Sequence, residues 1–130
     1  SICSQNPILL NRWVKDNIIL NQKYDKKRLE FICKIVGLNK VFSKNRNINS
    51  RIDPDSLNFS GGEKQRISIA RALYYNRQIL IMDEATNQLD EITEKNILKN
   101  ILKNYKKTTI IFISHNKELQ IFFNKKIYLN

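Results

Sequence analysis

Phe59-Ser60-Gly61-Gly62-Glu63-Lys64-Gln65-Arg66, followed closely by the apolar run Ile79-Leu80-Ile81-Met82 and the acids Asp83-Glu84, is the stretch that decides the fold. Ser-x-x-Glu ahead of an apolar-periodic segment is a capping box. It predicts a helix from Gly61 to about Tyr75, burying Ile67, Ala70 and Leu73 at helical spacing. Two glycines in a first turn are poor helix formers. Their use is to let something come close to the backbone, and N–H groups at a helix start bind anions. The two readings are compatible, because a capped helix start is also a phosphate site. Ile79 to Met82 reads as a strand covered on both faces. Two adjacent acids at its C-terminal end are expensive without a nearby cation or free access to water, and open α/β sheets bind ligands at that end.

Downstream, Asp90 can cap a helix over about 91–104, with Ile97, Leu98, Ile101 and Leu102 inward. Thr108 to Ile113 is a second apolar, β-branched strand, and it runs into Ser114-His115. Residues 116–123 read as a short helix and Lys126 to Leu129 as an edge strand. Upstream, residues 1–7 finish a strand and turn at Gln5-Asn6-Pro7. Residues 11–20 read as a helix with Trp13, Val14 and Ile18 on one side. Asp25 can cap a helix over 26–36 that turns Leu29, Ile32, Cys33 and Val36 inward and ends at Gly37. Residues 39–59, polar and Asn-rich with Asp53-Pro54-Asp55, read as loop plus a short helix. The second half therefore alternates strand and helix, which predicts an α/β fold with parallel strands and helical crossovers.

At 130 residues the chain provides one domain at most. No apolar run approaches the roughly 18–20 residues that span a bilayer. Residues 1–15 lack a cationic start followed by an apolar run, so no signal peptide is expected. The first residue is Ser1 rather than Met, as in a fragment or processed product. The formal charge of +11 would suit nucleic acid or an anionic membrane surface. The lysines are scattered rather than gathered, however, and Ile, Asn and Lys are all frequent, as A+T-rich genomes favour. No nucleic-acid partner is expected. The two cysteines, Cys3 and Cys33, form no C-x-x-C, so neither a metal site nor a disulfide framework is expected, and Cys33 falls on an apolar helix face as a buried free thiol. A reducing, cytosolic compartment fits.

Ser60 to Arg66, Ala70-Arg71-Ala72-Leu73, Ile79 to Glu84, Ala85-Thr86, Leu89-Asp90 and Ile113-Ser114-His115 stand in the order and approximate spacing of a nucleotide-binding domain of the ATP-binding cassette (ABC) ATPases, which the chain resembles over nearly its whole length. Gln5, before Asn6-Pro7, is similar to the Q-loop of exporter-type members. The resemblance implies part of a P-loop NTPase (RecA-like) parallel sheet with an inserted helical subdomain. Residues 1–7 would end a core strand and carry the Q-loop, 8–76 would be the helical subdomain ending in the signature helix, and 77–130 the C-terminal core. It implies ATP and Mg²⁺ as cofactors, a second nucleotide-binding domain and a transporter's transmembrane domain as partners, and a place on the cytoplasmic face of a membrane, the cell inner membrane. By the same resemblance Asp83 holds Mg²⁺, Glu84 is the general base, and His115 contacts the γ-phosphate. Gln5 touches Mg²⁺ or the attacking water. Ser60, Gly61, Gly62 and Glu63 bind ATP held by the partner domain, and Asp90 is the D-loop acid.

The chain departs from the family pattern in several places. Phe59 stands where Leu is usual, Glu63 for the commoner Gln, and Asn87-Gln88 where exporters often have Ser-Ala. Ile52 to Asn58 lacks the exporter Gly-Glu-Arg-Gly element. No G-x-x-x-x-G-K-[ST] phosphate loop occurs, so the Walker A loop is expected to lie before Ser1, and these residues by themselves are expected neither to hydrolyse ATP nor to fold stably. Two other functions fit the same motifs. One is a soluble ABC ATPase acting on ribosomes or DNA, which Asn87-Gln88-Leu89-Asp90 resembles. The other is an inactive, truncated remnant.

Overall fold

The computed structural model describes residues 1–42, 46–53 and 58–128. Three parallel strands form one sheet in the order β1 (Ile2–Cys3), β2 (Ile79–Asp83), β3 (Thr109–Ile113). Ile2 and Cys3 pair with Ile81 and Met82, and β2 pairs with β3 from Ile79↔Thr109 to Asp83↔Ile113. The expected parallel sheet with helical crossovers is therefore present, and all three strands end on one rim.

Five α-helices accompany it among the described residues: α1 (Val14–Ile19), α2 (Lys26–Ile35), α3 (Leu38–Val41), α4 (Gly61–Tyr75) and α5 (Glu91–Asn104). A 3₁₀ turn follows over Lys117–Phe122. Their starts follow the sequence signals. The Asp25 carboxylate accepts from the Arg28 N–H and that of Asp90 from the Thr93 N–H. Gly37 takes φ +70° just past α2, the left-handed exit that favours glycine. α4 is the hub. It buries Ile67, Ile69, Ala70, Leu73 and Tyr74 along with polar Glu63, Gln65 and Ser68, so it is buried around most of its circumference, and it packs on α1, α2, α3 and β1. Arg71 on α4 donates to the carbonyls of Ile8 and Asn17 and to Asn17 Oδ1, tying the chain after Gln5 to this helix.

Several expectations need correction. β2 is covered on one face only. Leu80 and Met82 are buried beside Cys3, whereas Ile79 is 51% exposed, and Ile2, Ile111 and Ile113 on the same open face are exposed too. Strand residues of that parity have no layer against them among the described residues. Trp13 is half exposed, because the first helix begins one residue later and Trp13 serves as its N-cap while bridging to Arg51. Leu102 is only half-buried, at the edge of the apolar stripe of α5. Residues 126–128 form no strand, and Leu129 lies outside the described residues, as do Pro54 and Asp55 of the expected turn. Both cysteines are buried and unpaired. Burial pushes the Cys33 thiol up to about 11 and that of Cys3 to about 12.

Candidate functional site

The start of α4 combines both roles that its sequence allows. Ser60 Oγ accepts from the Glu63 N–H, and Glu63 Oε2 accepts from the Ser60 N–H at 2.7 Å, completing the capping box. Glu63 is buried and also pairs with Arg46 at 3.1 Å, so its carboxylate is engaged inside the chain. The box uses the first and fourth N–H groups of the helix start. Those of Gly61 and Gly62 have no acceptor among the described residues, and they border a cleft of about 590 Å³ that Ser60, Arg66, Gln88 and Asp90 also line. Both glycines also permit a close approach from within the chain. A Cβ on Gly61 would lie 1.8 Å from Gln88 Oε1, and one on Gly62 3.1 Å from the Gln88 carbonyl oxygen. Hydrogen bonds from Thr93, side chain first and backbone second, hold the Asp90 carboxyl below its usual range.

The rim of the sheet carries a second constellation. Beyond β2 the ladder continues for one bond, from the Glu84 N–H to the Ile113 carbonyl at 3.0 Å. Glu84 itself turns into the left-handed region, φ +46°, where a non-glycine residue is strained. That turn points its carboxylate at the loop after β3, where His115 Nε2 approaches Glu84 Oε1 to 2.7 Å. The two residues line an open cleft of about 380 Å³ with Thr86, Glu94, Ser114 and Asn116. With a proton on Nε2 this is a charge-assisted hydrogen bond, and it orients the carboxylate. Asp83 is exposed at the end of β2, and Gln5 is exposed just past β1 on the same rim. The structure thus joins Glu84 to His115 and leaves Ser60, Gly61, Gly62, Glu63 and Asp90 in a separate cleft. The two clefts share Leu89.

Two residues that the sequence pattern did not single out hold these parts together. Gln65 is fully buried. Its Nε2 donates to Asn87 Oδ1 and to the Gln5 carbonyl, and its Oε1 accepts from the Gln88 N–H, so one amide fastens the loops after β1 and β2 to α4. Glu94, on α5, is also buried, against Thr86 and Asn116. A polar residue at an inward helical position was the available signal for both.

The family model described as ABC transporter matches residues 1–87. The chain belongs to the ABC transporter family. Among curated members it is 40% identical over 113 residues to the alpha-hemolysin translocation ATP-binding protein HlyB of Escherichia coli. It is 38% identical over 113 residues to the leukotoxin translocation ATP-binding protein LktB of Mannheimia glucosida. To the lactococcin-A transport/processing ATP-binding protein LcnC of Lactococcus lactis subsp. lactis it is 41% identical over 115 residues. Each match covers 85% of this chain and 16% of the relative, so the chain spans about a sixth of the length of these proteins. A bacterial Atm1-family ABC exporter solved with ATP bound superposes with a TM-score of 0.83 at 29% identity, over 92% of this chain and 21% of the exporter. The small parallel sheet with its helices is thus part of the P-loop NTPase fold of an ABC exporter cassette.

ABC ATPases bind nucleotide, typically with Mg²⁺. The donor set here is chemically compatible with that ion: Asp83 offers an exposed hard oxygen ligand beside Glu84, and Mg²⁺ needs only one or two carboxylates when phosphates and water complete its shell. No group of three metal-binding side chains occurs among the described residues. No helix among the described residues is long and apolar enough to cross a membrane.

Proposed function

We propose that this chain is a working part of an exporter-type ABC ATPase, hydrolysing ATP between two cassettes on the cytoplasmic face of a membrane. The observation that carries the proposal is the 2.7 Å contact between Glu84 and His115 on the C-terminal rim of a parallel sheet, in a cleft separate from the glycine N–H groups of α4. A phosphate received at Gly61 and Gly62 and a water activated at Glu84 then belong to two different nucleotides. That arrangement calls for a second copy or a related cassette facing this one.

Glu84 acts as general base: it takes a proton from a water as the water oxygen bonds to the γ-phosphorus and the bond from that phosphorus to the β–γ bridging oxygen breaks, leaving ADP and phosphate. His115 holds Glu84 in place through Nε2, and the same imidazole, 95% exposed, is free to turn toward a γ-phosphate. Asp83, with Gln5 on the same rim, would hold Mg²⁺. When bound, that ion supplies charge neutralisation for the phosphate oxygens. Glu63 acts indirectly, keeping Ser60 and the two glycines in a capped first turn. The open isoleucine face of the sheet supports a further point: other elements of a complete cassette, including a phosphate loop, cover it.

A second reading rests on the Gly61 and Gly62 N–H groups, which border a cleft apart from Glu84 and His115. In it the chain offers only its α4 face to a nucleotide held elsewhere and does no hydrolysis. The test is ATP turnover by the polypeptide as its host makes it, wild type against Glu84→Gln. The hydrolytic reading expects nucleotide binding retained and turnover slowed by roughly 10²–10⁴-fold, the usual worth of a general base. Equal turnover in the two proteins would remove Glu84 from that role and favour the second reading.

A further inference from the structure

The base and its histidine stand on different loops, and little holds those loops in register. The β2–β3 ladder ends with the Glu84 N–H to Ile113 bond. His115 is 95% exposed, so its ring has no packing to fix it. Beneath the pair lies Glu94, one turn into α5 and 6% exposed. Its Oε1 accepts from the Thr86 hydroxyl, two residues beyond Glu84, and its Oε2 accepts from Asn116 Nδ2 at 3.2 Å, directly after His115. Asn116 is held from its other side too, because its Oδ1 accepts from the Glu118 N–H at 3.1 Å. Among the described residues Glu94 forms no ion pair, so a buried carboxylate is kept by two neutral donors, one from each loop. Burying a carboxylate is costly, and an apolar side chain would serve packing alone better. What a carboxylate adds is two acceptor atoms in one rigid plane, able to span two donors.

We propose that Glu94 is a positioning residue that clamps the Glu84 loop to the His115 loop and so sets the geometry of the base. The proposal rests on the reading of Glu84 as the base and adds to it the device that keeps the pair together when the exposed histidine swings between carboxylate and phosphate.

The experiment is steady-state ATP hydrolysis by the native polypeptide carrying Glu94→Ala, Glu94→Gln or Asn116→Ala, with Glu84→Gln alongside and a thermal unfolding curve for each. Glu94→Ala and Asn116→Ala should lower kcat on the order of 10–100-fold, as loss of an orienting partner does, with KM for ATP nearly unchanged. Glu94→Gln should recover most of kcat, since its amide can still accept from Asn116 and donate to Thr86. If Glu94→Ala does not fold, Asn116→Ala, at a half-buried position, carries the test. Normal kcat in a folded Asn116→Ala protein overturns the clamp, and so does a Glu94→Gln protein as slow as Glu94→Ala. Should Glu84→Gln turn over normally, the base assignment fails and the clamp fails with it. Should Glu84→Gln be inactive while the clamp variants are normal, only the clamp is lost.

Discussion

The helix start at Ser60 and the rim at Glu84 are both polar constellations at the ends of regular elements, yet they are built in opposite ways. Ser60, Gly61, Gly62 and Glu63 are consecutive, and the capping box closes within one turn. Glu84 and His115 meet only because β2 and β3 pair in parallel with Asp83 opposite Ile113. A local site survives changes elsewhere, whereas a rim site depends on sheet register, on strain at Glu84 and on the side chains that bridge two loops. The difference predicts that perturbing the rim costs catalysis with little stability, and that perturbing the helix start costs some of each.

The largest effect is expected at the rim. His115→Ala should reduce turnover by about 10²-fold or more while the unfolding midpoint stays within experimental error, because the ring is exposed. Combined with Glu84→Gln the loss should be far less than the product of the two, since the pair acts as a unit. Multiplying losses would mean that the residues work separately and would break the comparison.

At the helix start the effects are smaller and appear in stability. Ser60→Ala removes the acceptor for the Glu63 N–H and should cost about 1 kcal/mol, read from chemical denaturation. An unchanged midpoint would leave Ser60 with a ligand-binding role alone. The two glycines should separate. Gly61→Ala meets only the movable, exposed end of Gln88, whereas Gly62→Ala meets the Gln88 carbonyl oxygen at 3.1 Å and Leu89 Cδ2 at 3.3 Å. Both gain the same helix propensity, so Gly62→Ala should be the less stable by roughly 1 kcal/mol. Equal stability would show that the loop after β2 yields, and that its seating on α4 is not a constraint.

A further effect is one of pH and belongs to neither region. Cys3 and Cys33 hold their protons to about 12 and about 11 in the folded chain, above the ordinary thiol value of 9.0. Above that ordinary value the unfolded thiols ionise while the folded ones do not. The folded state then binds more protons, so stability should fall as pH rises from about 9 toward 11. The same burial should make both thiols slow toward an alkylating reagent at pH 8 until the chain unfolds. Rapid labelling of the native protein would contradict it.

The chain's own residues announced most of the helices and the parallel α/β class, because caps, exits and apolar spacing are short-range signals. Asp25, Ser60 and Asp90 each cap the helix that follows them in the sequence. The motif order was legible for the same reason, and membership of the ABC family followed from it. Strand coverage was misread because a run such as Ile79 to Met82 has the same letters whether one face is packed or two. The fate of Trp13 was missed because a cap and a first-turn core residue differ by a single position. Gln65 and Glu94 escaped notice because a polar residue on a helix counts as solvent-facing until its neighbours are known.

What the sequence determined, then, is everything that closes within about one helical turn: the capped glycine start of α4, the apolar strands and the acids and histidine that end them. Only the tertiary structure decided which ends stand together. Parallel pairing put three strand ends on one rim, the left-handed turn at Glu84 aimed its carboxylate at His115, and buried Gln65 and Glu94 fastened the loops. Those contacts join residues far apart in the chain, and their loop-closure entropy is offset only when the whole core forms.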